Sequence, residues 1–223
     1  MVDFIGDVHG YCDKLETLLK KLGYKKLNGV YTHSESKAVF LGDYIDRGPQ
    51  IRETLNIIRS MVEDNRAIAL MGNHEYNAIC FNYQSKEKGY LRKHSIKNII
   101  QHSKTIEQFY NRQDEYDSYI EWFKTLPLYY ETDDFRAVHA CWDDKNIECL
   151  KKYLVDQKLN DTLIDKANEK GTELNESIEE TLKGKEIKLP HEVYFYDKEN
   201  IKRGEVRIRW WEEPTSQTYR SIS

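Results

Sequence analysis

The stretch AIALMGNHE, residues 67–75, is an apolar run that breaks off at Gly72 into Asn73, His74 and Glu75. A short apolar run bounded by glycine reads as a buried strand. Amide and imidazole groups directly after it can ligate a cation or carry a proton. The same pattern occurs twice upstream. VDFI (2–5) runs into GDVHG (6–10), and AVFL (38–41) runs into GDYIDRGP (42–49). Helical patterns lie between the runs. In 11–24, Leu15, Leu18, Leu19 and Leu22 share one face, and Gly23 stands where a C-terminal cap falls. After Pro49, a second apolar face is formed by Ile51, Leu55, Ile58 and Met61 or Val62. The β-α-β-α-β order predicts an α/β fold: a largely parallel sheet with helices packed on its faces. Right-handed crossovers then bring the three strand C-termini to one edge, where α/β sheets carry their sites.

Beyond this frame, 76–112 reads as mixed helix with weak periodicity, and 114–127 as a better helix stopped at Pro127. LYYET and FRAVHA flank Asp133 and Asp134, which predicts a β-hairpin. Residues 143–183 are charged and helical, with few aromatics. They read as an inserted cap or a solvated helical pair, and, following His139, as the place to look for substrate-deciding contacts. EVYFYD (192–197) and EVRIRWW (205–211) alternate and are expected to pair through a turn at 198–204.

The chain has 223 residues, enough for one domain with an inserted segment. Its 16 Tyr, 7 Phe and 4 Trp supply a core despite a mean hydropathy of −0.79, so general disorder is rejected. The net charge of −4 lacks the basic surplus of a nucleic-acid surface. No apolar run reaches the ~20 residues of a membrane helix, and no basic, apolar leader opens the chain. Cys12, Cys80, Cys141 and Cys149 have no CxxC spacing and read as reduced thiols of a cytoplasmic protein. Nothing in the composition sets the oligomeric state.

A fourth polar cluster, VHA (138–140), follows the second arm of the hairpin. The topology therefore gathers Asp7, His9, Asp43, Asn73, His74 and His139 at one edge. Asp, Asn and Gly favour turns for backbone reasons alone, and any single cluster is explained that way. Four strands in succession ending in such groups is a different matter. Burying them together costs several kcal/mol unless something satisfies them, and cations do. Oxygen and imidazole donors without thiolate favour Mn, Fe or Zn. The donors suffice for two ions, with Asp43 as the central, bridging carboxylate. Such a pair grips phosphate oxygens and turns a shared water into hydroxide for in-line attack on phosphorus.

GDVHG, GDYIDRG and GNHE in this order resemble the PPP branch of the calcineurin-like metallophosphoesterases, which holds serine/threonine phosphatases and bacterial diadenosine-tetraphosphatase-like enzymes. The opening of the first helix and the RGP ending are more similar to the bacterial members. The resemblance implies a metallophosphoesterase fold of β-sheet layers flanked by helices, in a single domain over 1–223. It implies Asp7, His9 and bridging Asp43 at a first metal, and Asn73 and His139 at a second. It makes His74 the acid that protonates the leaving oxygen, with Asp46 orienting it. Arg47 is the phosphate clamp, and Asn73 also touches substrate. Two divalent cations, Mn first among them, are the expected cofactors, and a phosphorylated protein or a nucleotide polyphosphate is the expected partner.

Two departures stand out. The fourth motif reads HAC (139–141), with Cys141 where the pattern has glycine. The final histidine ligand that the pattern sets in a late Gly-His pair has no counterpart. The only His after 139 is His191, before a predicted strand. The chain stops where the last strands are expected to begin, so the domain is expected to continue past 223. The alternative is a shortened relative that binds metal or phosphate with weak or no turnover. Arg207 and Arg209 are candidates by position for a second phosphate-clamping arginine.

Overall fold

The computed structural model describes residues 1–196 and 202–212. Strand β1 (Val2–Ile5) leads into helix α1 (Cys12–Lys21). A short hairpin of β2 (Lys25–Leu27) and β3 (Val30–Thr32) precedes β4 (Lys37–Phe40). Helix α2 (Ile51–Glu63) leads into β5 (Ala67–Ala69). β1, β4 and β5 form one sheet in that order, and both pairs are parallel. The α/β frame read from the sequence is therefore present. α1 ends in a Schellman cap: Gly23 takes φ +91°, its N–H donates to Lys20 O, and the Tyr24 N–H donates to Leu19 O. Leu15 and Leu19 are buried but Leu18 is exposed, so the apolar stripe of α1 is narrower than expected. In α2, Ile51, Leu55, Ile58 and Met61 are fully buried.

Downstream lie α3 (Asn73–Asn82), the small hairpin β6 (Gln84–Ser85) and β7 (Gly89–Tyr90), α4 (Ile96–Gln108), α5 (Gln113–Lys124), and the hairpin β8 (Tyr129–Glu131) and β9 (Arg136–Val138). The mixed stretch 76–112 thus resolves into two helices around a hairpin, and the hairpin across Asp133 and Asp134 is present. Successive residues of a strand face opposite sides. Accordingly Ala38 and Phe40 join the main core with the helices, while Val39 packs with Leu70 and Ala137. Tyr130 and Phe135 close over that second layer. Helices thus pack into the core on one face of the sheet, whereas the hairpin covers the other, where helices were also expected.

The remaining elements are α6 (Asp144–Tyr153), α7 (Asp161–Ala167), α8 (Glu173–Lys183), β10 (Glu186–Lys188), β11 (Phe195–Tyr196), β12 (Lys202–Arg203) and β13 (Glu205–Arg207). The expected pairing of 192–197 with 205–211 is corrected. β13 pairs with β10, and β11 pairs with β12. Partly buried Val206 sits opposite partly buried Ile187, whereas 192–196 are exposed and offer it no apolar partner. Residue 197 and most of the expected turn lie outside the described residues. In 143–183, Leu150, Ile164, Ala167, Ile178 and Leu182 are buried in the main core.

The loops after β4 and β5 touch backbone to backbone. A Cβ on Gly72 would lie 2.3 Å from Asp43 N, and one on Gly42 would lie 2.5 Å from Gly72 Cα. Gly72→Ala is expected to lower the unfolding free energy by about 2 kcal/mol or more, because backbone is a poor group to displace. Urea denaturation of the two proteins side by side checks this.

Candidate metal centre

Each polar cluster sits at the C-terminal end of its strand, and hydrogen bonds tie the clusters together. The Val8 and His9 N–H groups both donate to Asp43 O, at 3.1 and 2.8 Å, joining the first loop to the second. His139 Nδ1 lies 2.7 Å from Leu41 O, joining the fourth to the second. The third loop is joined by Glu75. Its Oε2 accepts from Asp43 N at 2.8 Å and Gly72 N at 3.0 Å, and its Oε1 accepts from Tyr44 N at 2.8 Å. His9, Asp43 and Asp46 hold φ of 49°, 58° and 86°. Non-glycine residues enter that region at a cost, and here the cross-linked loops hold them in it.

These bonds also decide which atoms face inward. A carbonyl oxygen only accepts, so each imidazole bonded to one carries its proton on Nδ1. His9 Nδ1 donates to Ile45 O at 2.8 Å, and His139 Nδ1 donates to Leu41 O. Both Nε2 atoms are then bare lone pairs. His9 Nε2 is buried without a hydrogen-bond partner among the described residues. It lies 3.8 Å from Asp7 Oδ2 and 3.7 Å from Asp43 Oδ2. His139 Nε2 lies 3.5 Å from Asp43 Oδ1 and 3.1 Å from Asn73 Oδ1. Acceptors converge here, and among the described residues the His74 N–H donates into the group, to Asp43 Oδ1 at 3.0 Å. Two groups with metal-like spacing result, His9–Asp43–His74 and Asp7–Asp43–His139. Asp43 belongs to both, as a bridging carboxylate must. The donor set fits divalent cations, and the carbonyls that lock the imidazoles act as outer-shell supports do.

His74 is held differently. Its Nδ1 meets Asp46 Oδ2 at 2.6 Å, while its Nε2 lies 3.8 Å from Asp43 Oδ2. Burial alone presses the His74 pKa down. The Asp46 hydrogen bond and the charges of Asp43 and Asp46 overcome this, and the net shift is upward. Burial likewise favours the neutral form of Asp46, but hydrogen bonds from His102 and His74 hold its carboxyl well below the usual range. His9 goes the other way: burial lowers its pKa, which keeps the imidazole neutral.

Asp46, Arg47, Asn73 and His74 open onto a cavity of about 400 Å³ whose far side comes from α3, α4 and the segment between them. Residues 143–183 do not line it, so the expected overhanging cap is replaced by α4. Arg47 is exposed. Arg207 and Arg209 carry acidic partners, Glu186 and Glu212, and lie outside this cavity. His191 is exposed and joins neither ligand group among the described residues. Cys141 is buried, and burial pushes its thiol up to about 11, which fits a packing role.

Three residues here escaped the sequence reading. Glu75 was in plain view, and its signal was the position three residues after a Gly N-cap. His102 Nδ1 and Thr105 Oγ1 both meet Asp46 Oδ1 at 2.6 Å, and His102 Nε2 meets the Tyr116 hydroxyl at 2.6 Å. Nothing in the weakly periodic 96–108 pointed to them.

A profile of the calcineurin-like phosphoesterase family matches residues 1–215. An asymmetrical bis(5'-nucleosyl)-tetraphosphatase of Oceanobacillus iheyensis is 31% identical over 140 residues, covering 62% of this chain and 54% of that one. A symmetrical bis(5'-nucleosyl)-tetraphosphatase of a Marinomonas species is 26% identical over 165 residues, covering 71% and 52%. The matches thus span about half the length of these two relatives. A solved cold-active protein-tyrosine phosphatase of a Shewanella species aligns with a TM-score of 0.45 at 26% identity, covering 75% of this chain and 46% of that one.

Replacing Glu75 by Ala leaves three buried backbone N–H groups without an acceptor. At about 1 kcal/mol or more for each, the chain is expected to lose about 3 kcal/mol or more of stability, read from the urea midpoint. Glu75→Gln keeps two acceptor lone pairs and is expected to lose distinctly less.

Proposed function

The chain belongs to the calcineurin-like phosphoesterase family, and on that premise we propose that it hydrolyses phosphate esters or anhydrides by direct attack of water, assisted by two divalent cations. One observation carries this reading: the Nε2 atoms of His9 and His139 face the two oxygens of Asp43, and Asn73 Oδ1 lies beside the His139 Nε2. Asp7, His9 and Asp43 would hold the first cation, and Asp43, Asn73 and His139 the second, with Mn the leading candidate. When bound, such a pair neutralises phosphate charge and acidifies water near neutral pH. The four cysteines are free and buried, which fits a reducing, cytoplasmic setting. Residues 1–223 act in this reading as one metallophosphoesterase domain, with 143–183 as its added helical segment.

The side chains divide the remaining work. Arg47, exposed and without an ion pair among the described residues, has the planar fork that clamps a phosphate. The Asn73 amide N–H group complements it as a neutral donor to substrate oxygen. His74 is the acid. Asp46 occupies its Nδ1–H, so the proton for the leaving oxygen is delivered from Nε2. The carboxylates around His74 hold that proton to a higher pH than an ordinary imidazole would. No covalent intermediate forms, because water is the nucleophile.

Turnover of an aryl phosphate with Mn is the direct test. His74→Ala is expected to lower kcat by about a hundredfold or more, and equal rates would remove the acid role. The pH dependence follows from the shifts. The His74 pKa is raised, so activity falls on the alkaline side as that proton is lost. Asp46→Asn removes the charge that raised it, and the alkaline limb of kcat is expected to move by at least about one pH unit toward acid. Calorimetric titration should count two Mn per chain. One ion without turnover would instead point to a non-catalytic relative.

A further inference from the structure

The cavity beside Asn73 and His74 contains a second guanidinium that the reaction above does not use. Arg92 lies between β7 and α4 and is partly buried. Its backbone N–H donates to Cys80 O at 2.9 Å, which pins it to α3. Its side chain donates to two neutral amides: Nη1 to Asn77 Oδ1 and Nη2 to Gln101 Oε1, both at 2.9 Å. It has no ion-pair partner among the described residues, unlike Arg52, Arg59 and Arg66, each of which holds a carboxylate within 3.0 Å. A cation held on neutral amides, with no carboxylate in an ion pair among the described residues, can receive an anion.

The surrounding groups agree. Because the amide oxygens of Asn77 and Gln101 are taken by Arg92, their NH2 groups are left as donors without an acceptor among the described residues. Among the described residues, the one acid lining the cavity is Asp46, and both its oxygens are engaged, by His74, His102 and Thr105. What remains on offer is donors and positive charge: Arg47 at the reacting end, Arg92 with two amide NH2 groups further in. That is the complement of a chain of phosphoryl oxygens, which only accept. The cavity offers less to a base. Phe81 lines it, but the His94 ring stacks on Phe81 at 3.9 Å between centroids, with Tyr90 on the other side of His94 at 4.1 Å.

We propose that Arg92, with Asn77 and Gln101, forms a subsite for a second phosphoryl group, and that the substrate is a phosphoanhydride of the nucleotide polyphosphate kind. This rests on the phosphoesterase reading above and narrows its substrate. The reaction balances with water alone: the water oxygen forms the new P–O bond, the bond to the bridging oxygen breaks, and that oxygen takes the His74 proton. The proton lost by water restores His74. Arg92 is a specificity residue, since it acts on the phosphoryl group that is not attacked.

The test separates the subsite from turnover. Binding of tripolyphosphate and of orthophosphate is measured by calorimetry at fixed free Mn, for the wild type and Arg92→Gln. The wild type is expected to bind tripolyphosphate at least about tenfold more tightly, and Arg92→Gln to lose most of that preference. Kinetics supply the second arm. For a dinucleoside tetraphosphate, KM is expected to rise about tenfold more in Arg92→Gln than it does for an aryl phosphate. A wild type without preference, or a preference that survives Arg92→Gln, overturns the proposal. So does an Arg92-dependent gain seen only for a phosphoserine peptide with flanking Asp, which would assign the cation to acidic peptides. Failure to turn over aryl phosphate would count against the phosphoesterase reading while the binding arm still read the subsite.

Discussion

A single buried carboxylate sets the geometry of the sheet edge. Glu75 has no solvent exposure, and it spans two loops by accepting from Asp43, Tyr44 and Gly72. It sits in the first turn of α3, where the helix dipole favours a negative charge. Burial and the neighbouring Asp43 charge nevertheless push its pKa up, to about 8, against the pull of the backbone donors. The arrangement therefore carries a built-in conflict between two carboxylates. A cation on Asp43 would relieve it, which couples ion binding to the frame that positions the ligands.

The same economy appears in the histidines. Leu41 and Ile45 belong to the loop that carries Asp43, and their carbonyls lock His139 and His9 with Nε2 facing that carboxylate. One loop thus contributes the shared oxygen donor and also dictates the tautomers of both imidazoles around it. His74 gets its tautomer from Asp46 instead, a charged partner that raises its pKa. A carbonyl leaves an imidazole a neutral ligand, whereas a carboxylate equips it to hold a proton. On the roles proposed above, partner chemistry separates ligand from acid among residues of the same type.

Much of this was legible in the sequence because it is local. An apolar run cut off by Gly and Asp marks a strand and its C-terminal loop, and parallel pairing needs only the helices between. The Asp7, His9, Asp43, Asn73, His74 and His139 set follows from that topology. What the sequence hid depends on contacts with no periodic trace. Glu75 reads like any acid in a helical first turn until its burial is known. His102 and Thr105 sit on α4, which exposes Ile96, Ile99, Ile100 and Ile106, so its apolar pattern does not mark its inner face. The pairing of β10 with β13 rests on one pair of half-buried residues, Ile187 and Val206, too weak a signal to rank above the alternation of 192–197.

The position of α4 has a further consequence. It delivers His102 and Thr105 to Asp46 from behind, and it delivers Asn98, Ile100 and Gln101 to the cavity in front. One helix therefore supports Asp46, the partner of His74, and also lines the cavity beside it. Arg47 and Arg92 line that space, and among the described residues its one acid, Asp46, has its oxygens engaged by His74, His102 and Thr105. Fixed positive charge in a partly enclosed cavity raises the local potential toward anions, even on a chain whose net charge is −4. The acidic balance that argued against a nucleic-acid surface is thus compatible with strong local attraction for phosphate, because attraction depends on which charges remain uncompensated at the site.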